Sequence, residues 1–155
     1  MKVTVDQIKK LREKTGGGIM ESRKALIEAK GDEKKAMDLL KKWGIEMSEK
    51  KKGRETKSGI IESYIHGEGK IGVLVEVRCE TDFVARTDEF KNLAHELCLQ
   101  ISSMEPKDLK ALLNQEYIRE PKVKIEDLIK ETIGKLGENI NVFRFTRFEL
   151  GGEIT

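Results

Sequence analysis

Hydrophobic positions along this chain change period several times, and each change marks an element. Thr4-Val5-Asp6-Gln7 has the form of a capping box, a hydroxyl followed three positions later by Gln. Ile8, Leu11 and Thr15 follow at helical spacing, and Gly16-Gly17-Gly18 stops the run. A second helix is predicted to carry Met20, Ala25, Leu26 and Ala29 and to break at Gly31. Asp32 can cap a third, with Ala36, Met37, Leu39, Leu40 and Trp43 inward and Gly44 as terminator. The pattern predicts a three-helix bundle over residues 1–45. Residues 46–58 then read as a polar linker, because Glu49 through Ser58 includes no apolar side chain. A solvated linker or a polar helical spacer explains that run better than nucleic-acid contact, since no aromatic is interleaved among the charges.

A period of two takes over next. Ile60 to Ile65 leads into Gly67-Glu68-Gly69, which predicts a hairpin with a three-residue turn. Beyond it, Ile71, Val73, Val75, Val77 and Cys79 fall on one face, with Gly72, Leu74, Glu76 and Arg78 on the other. Thr87 can cap a long helix whose stripe is Phe90, Leu93, Ala94, Leu97, Cys98, Ile101 and Met104, ending before Pro106. A short helix around Leu109, Leu112 and Leu113 precedes an irregular stretch through Pro121. Ile125, Leu128, Ile129, Ile133 and Leu136 mark another helix, closed by Gly137. Asn139 to Leu150 reads as a returning strand in which Val142, Phe143 and Phe145 cross parity, so a bulge or a strand covered on both faces is expected. The fold class is α+β: a small helical head, then a core over 59–151 with a small antiparallel sheet packed by helices.

Charge narrows the function. Lys and Arg number 30 against 28 Asp and Glu, a net charge of +2, although 37% of residues are charged. That balance argues against a dedicated nucleic-acid binder. No apolar run approaches the roughly 18 residues that cross a bilayer. The start, Met1 to Asp6, lacks an apolar signal region and reads as cytoplasmic. Cys79 and Cys98 are expected to be buried thiols, and His66 and His95 are too few for a multi-histidine metal site. Neither a phosphate-binding Gly-Lys loop nor a nucleophile elbow occurs, so no enzyme, no metal site and no cofactor is expected.

Two segments carry candidate chemistry. Cys79-Glu80-Thr81-Asp82-Phe83-Val84-Ala85-Arg86 follows the best strand directly. In one reading Asp82 caps the next helix and Phe83 joins the core; in the other Phe83 protrudes as a binding anchor on a rigid junction. The second segment is Leu11-Arg12 through Thr15-Gly16, Gly18 and Met20, which is either a helix stop with a packed Met or a corner offered to a partner.

Together these segments resemble the elongation factor Ts family. The head, Leu11 to Met20 with Lys24-Ala25-Leu26 and Gly31-Asp32, is similar to that family's N-terminal domain, itself ubiquitin-associated-like. Val75 to Arg86 is similar to its second signature, and Gly137 to Ile140 with Arg144 to Gly151 to its last strand. The resemblance covers nearly the whole chain, in order. It implies a guanine nucleotide exchange factor for elongation factor Tu, acting by binding and distortion. Asp82 and Phe83 would intrude near the GTPase's magnesium site, with Thr81 shaping the turn and Val84 backing it. Arg12, Met20 and Arg23 would supply head contacts, and Gly16 and Gly18 would set the loop presenting them. The resemblance also implies that a helical segment usual in the family is largely missing between Leu113 and Tyr117. Shorter members form homodimers, which makes Val142, Phe143 and Phe145 candidates for a dimer surface or for core packing. Two rival readings are an interaction module without exchange activity and an RNA binder using Arg144-Phe145-Thr146-Arg147-Phe148. Membrane association and direct nucleic-acid contact are not expected.

Overall fold

Two hydrophobic clusters organise the chain, and one pair of helices joins them. The computed structural model describes residues 2–153; Met1, which opens the start read as cytoplasmic, lies outside them, as do Ile154 and Thr155.

Helices α1 (Val5–Thr15), α2 (Ile19–Glu28) and α3 (Glu33–Lys51) enclose Leu11, Ala25, Leu26, Ala29 and Ala36. The expected caps are present: Thr4 and Gln7 close a reciprocal box, and the Asp32 carboxylate accepts the Lys35 amide at 3.1 Å. Of the two readings of Met20 the structure has the exposed one, at 67%, because α2 turns Ser22, Ala25 and Leu26 inward. One expectation fails in this head. Gly44 does not terminate the third helix, which continues to Lys51, so the first part of the polar stretch is helical. The reason is tertiary. Gly44 is buried against Gly134, and the lack of a side chain there lets two helical backbones approach closely.

The core sheet runs β1 (Ser58–His66), β2 (Ile71–Cys79) and, after the helices, β5 (Ile140–Glu149), in the order β1-β2-β5 with both pairs antiparallel. His66 pairs with Ile71, so the hairpin connection is four residues, Gly67 to Lys70, rather than three. Val73, Val75, Val77 and Cys79 are buried as their alternation predicts. The parity problem in β5 is resolved by a bulge: Glu76 faces Arg144 while Val77 faces Val142, leaving Phe143 out of register. That extra residue allows both Val142 and Phe145 to pack on the core while Phe143 stays exposed.

Between β2 and β5 lie α4 (Asp82–Ala85), α5 (Asp88–Met104), α6 (Leu109–Asn114), a small hairpin of β3 (Glu116–Tyr117) and β4 (Glu120–Lys124), and α7 (Ile125–Leu136). The α5 stripe is buried from Phe90 to Ile101, but Met104 in its last turn is 49% exposed. The stretch read as irregular contains the β3–β4 hairpin. Gln100, wholly buried on α5, holds it: its amide donates to the Glu116 carbonyl at 3.0 Å and its carbonyl accepts the Ile118 amide at 3.0 Å. Both cysteines are free and buried; burial pushes the Cys79 thiol up to about 11 and the Cys98 thiol up to about 12. No described helix is long and apolar enough to cross a membrane.

Candidate functional site

The polypeptide leaves β2 at Cys79 and must turn before α5 begins. Thr81, in extended conformation, starts the one-turn helix α4 by accepting the Val84 amide on its hydroxyl at 3.3 Å. The cap is therefore Thr81 and not Asp82, which occupies the first helical position beside the helix's positive end. Val84 and Ala85 are buried and fix the underside of the turn. At the far side the Thr87 hydroxyl donates to the Val84 carbonyl at 2.7 Å and accepts the Phe90 amide at 3.3 Å, joining α4 to α5. The Cys79 thiol donates to the Thr81 carbonyl at 3.2 Å, consistent with a thiol kept protonated by burial first and by the Glu138 carboxylate second.

Phe83 settles the choice left open by the sequence. It is 81% exposed, so it is no core residue; it stands on a turn whose other apolar side chains are buried. Asp82 beside it is exposed too.

A cluster that spacing did not reveal holds this turn to the rest of the core. One oxygen of Glu138 accepts the amides of Glu80 and Thr81 at 3.2 and 3.0 Å, and the other accepts the Thr81 hydroxyl at 2.7 Å. Glu80 reciprocates by accepting the Asn139 amide at 2.9 Å and pairing with the Arg54 guanidinium. The Asn139 side chain donates to the Arg54 carbonyl at 2.8 Å. Three segments, the end of the linker, the β2–α4 junction and the α7–β5 junction, are thus tied together. The only local signals are that Glu80 follows the last strand residue and Glu138 follows the helix-ending Gly137, whose φ is 74°.

The head offers a second surface. Gly16 takes a left-handed φ of 70° and donates its amide to the Arg12 carbonyl at 2.7 Å, ending α1. Gly18 is the N-cap position of α2, with ordinary negative φ. The Arg12 guanidinium donates to the Gly17 carbonyl at 3.3 Å and so braces the loop. Met20, Arg23 and Ile27 follow at helical spacing on the exposed side of α2. The structure thus groups Thr81 to Val84 on one turn and Arg12, Gly16, Gly18, Met20 and Arg23 around one corner. No hydrogen bond or ion pair among the described residues joins the two groups.

The Arg144 to Phe148 strip is divided by the strand. Arg144 pairs with Glu76 at 2.9 Å, and Phe145 packs on the core. The Arg147 side chain is only 14% exposed, donates to the Ser102 carbonyl at 3.1 Å and pairs with Glu105. Arg144 and Phe148 stay exposed on the outer face, at 72% and 73%, while Phe145 and Arg147 turn to the core side, so only half of the strip is open to a ligand.

Comparison with known proteins identifies relatives of this chain. The sequence profile of the family described as Elongation factor TS matches residues 80–155. The chain is 43% identical to elongation factor Ts of Thermoanaerobacter sp. (strain X514), over 96% of this chain and 95% of that one. This chain belongs to the elongation factor Ts family. It is also 44% identical to elongation factor Ts of Thermotoga maritima, over 97% and 98% of the two chains, and 42% identical to that of Thermotoga neapolitana, over 99% and 100%. These alignments run over 194 to 196 positions against 155 residues here, so the relatives carry positions without a counterpart in this chain. Elongation factor Ts is a non-catalytic protein of translation elongation, a guanine nucleotide exchange factor toward elongation factor Tu. Its work is done by binding.

Proposed function

We propose that this chain releases GDP from elongation factor Tu by placing Phe83 and Asp82 against the magnesium and phosphate site, while the head corner anchors the complex. The observation that carries the reading is the exposure of Phe83, 81%, on a turn pinned by buried neighbours and two carboxylates. A large aromatic is left in water only where a partner will cover it or where nothing selects against it. Magnesium holds near-octahedral geometry at short distances, so a small displacement of its surroundings weakens its grip on phosphate. Phe83 would part packed elements of the GTPase, and Asp82 would compete for polar groups beside the metal. Arg12, Met20 and Arg23, presented by the loop that Gly16 and Gly18 shape, would hold the GTPase in place while that happens. The ubiquitin-associated-like character of the head belongs to the same proposal, as does a cytoplasmic setting.

Homodimer formation is part of this reading too. On the outer face of the sheet, Ile61, Ile65, Leu74 and Phe148 are exposed, and Phe143 lies under the Arg78 guanidinium at 3.5 Å. This apolar row supports Phe143 as a dimer-surface residue, whereas Val142 and Phe145 are occupied in the core.

The test is release of a fluorescent GDP analogue from elongation factor Tu. The wild-type chain should accelerate release, and Phe83→Ala should cut that acceleration by roughly tenfold or more with folding stability unchanged within about 0.5 kcal/mol. Asp82→Ala should show a smaller loss. Full acceleration by a folded Phe83→Ala protein would remove Phe83 from the mechanism.

A further inference from the structure

A four-residue helix has almost no stability of its own, because fixing its first turn costs several dihedrals for one or two hydrogen bonds. Something outside α4 must hold it. Val84 and Ala85 fix its depth, but burial of two small apolar groups does not set its rotation. The amides of Glu80 and Thr81, at the exit of a strand, also need acceptors that neither sheet nor helix provides. Glu138 supplies both requirements. Its carboxylate spans the two amides and the Thr81 hydroxyl, three charge-assisted bonds between 2.7 and 3.2 Å that reach across 57 and 58 positions of chain. The carboxylate also decides how the Thr81 hydroxyl is used. That hydroxyl donates to Glu138 and keeps a lone pair for the Val84 amide, so cap and clamp act through one atom.

We propose that Glu138 is a positioning residue for nucleotide exchange. It holds the Thr81 turn in the orientation that presents Phe83, with Glu80, Asn139 and Arg54 completing the brace. The inference rests on the proposed role of Phe83 and extends it to a residue that would touch neither GTPase nor nucleotide. Without Glu138 the turn still lies over the core, but Phe83 sweeps a range of directions, and ordering it falls to the moment of binding. Misplacement of a working group by about 1 Å can cost on the order of a hundredfold in rate.

The experiment is release of the fluorescent GDP analogue from elongation factor Tu over a range of factor concentrations. The proteins are wild type, Glu138→Ala, Glu138→Gln, Phe83→Ala and the Phe83→Ala/Glu138→Ala double variant. Glu138→Ala should lower the maximal rate roughly ten- to a hundredfold, with the half-saturating concentration moving by less than about threefold. Glu138→Gln keeps an acceptor for the two amides but turns a donor toward Thr81, so it should recover most of the loss. It also serves if the alanine variant folds poorly. In the Phe83→Ala background, removal of Glu138 should cost less than about twofold, since the group it positions is gone. A wild-type rate for Glu138→Ala beside a slow Phe83→Ala overturns the positioning role and leaves the lever standing. Independent, multiplicative losses in the double variant overturn it equally. A wild-type rate for Phe83→Ala overturns the lever and, with it, this inference.

Discussion

The packing of α3 on α7 makes opposite predictions for two glycines in the same contact. A Cβ built on Gly134 would lie 3.2 Å from the Gly44 carbonyl carbon, 3.3 Å from its oxygen and closer still to its Cα, all of them backbone atoms that cannot rotate away. A Cβ on Gly44 would meet Gly134 Cα at 3.7 Å and Glu131 backbone at 3.8 Å, ordinary contact. Alanine gains about 0.5–1 kcal/mol over glycine inside a helix. Gly44→Ala should therefore stabilise by about that amount. Gly134→Ala must part the helices by roughly 1 Å, an overpacking that costs about 1–3 kcal/mol and outweighs the propensity gain. A net loss of about 1–2 kcal/mol is expected.

Urea unfolding followed by Trp43 fluorescence measures both. Trp43 is the single tryptophan and lines the cavity of about 530 Å³ between head and α7, so its emission reports this seam. The midpoint should rise for Gly44→Ala and fall for Gly134→Ala at similar denaturant slope. The seam also sets the angle between the head corner and the Phe83 turn. Two faces that must engage one partner lose their mutual advantage when that angle is wrong. Gly134→Ala should accordingly raise the concentration of factor needed for half-maximal GDP release, while Gly44→Ala should not. If Gly134→Ala is as stable as Gly44→Ala, the close backbone approach is not what joins head to core.

The head corner and the buried thiol give two further predictions. Met20→Ala and Arg23→Ala alter exposed side chains, so stability should stay within about 0.5 kcal/mol while affinity for elongation factor Tu falls; unchanged affinity in a titration would discard the α2 face as an anchor. Burial lifts the Cys98 thiol from its ordinary 9.0 to about 12. Its stabilisation is therefore complete below the unfolded value and declines as pH climbs from about 9 toward 12, by up to about 1.4 kcal/mol per pH unit. Urea midpoints taken from pH 8 upward should fall more steeply for wild type than for Cys98→Ala, and parallel curves would refute the assignment.

Elements with local start and stop chemistry were legible in the sequence. Thr4, Asp32 and Thr87 cap where their side chains suggested, Gly137 ends α7, and strict alternation placed β2 with its buried face correct. The failures share a cause, since each was decided by a partner distant in the chain. Gly44 looks like a helix stop until Gly134 is set against it. The β3–β4 hairpin has no periodic signal because buried Gln100, on another element, organises it. Spacing favours Phe83 as a core residue over an anchor and is wrong, for an aromatic in a short junction has no period to assign it a face. Glu138 and Glu80 had no signal at all beyond their places after a helix end and a strand end. Their roles are long-range hydrogen bonds, which sequence spacing does not encode.

The stiffness of the turn bears on whether Phe83 can act as a lever rather than a mere anchor. Weakening GDP binding a thousandfold needs about 4 kcal/mol of coupling between factor and nucleotide. Burying one phenylalanine contributes about 1.5–3 kcal/mol, and even the whole of it falls short. Moreover, only the part gained in the nucleotide-free state counts toward coupling; the remainder is simple affinity. A pliable turn would let Phe83 settle on the GTPase wherever space allowed, burying its ring with GDP still in place. A turn braced by Val84, Ala85, the Thr81 cap and the Glu80 and Glu138 carboxylates cannot yield so easily. On the proposed mechanism the ring would then find full burial only when the partner's site opens, and Asp82 would be carried to the same place to supply what the aromatic lacks. Exposure and rigidity thus work as one property. Loosening the brace should leave a complex that forms and a nucleotide that stays, whereas an anchor would lose binding and exchange together.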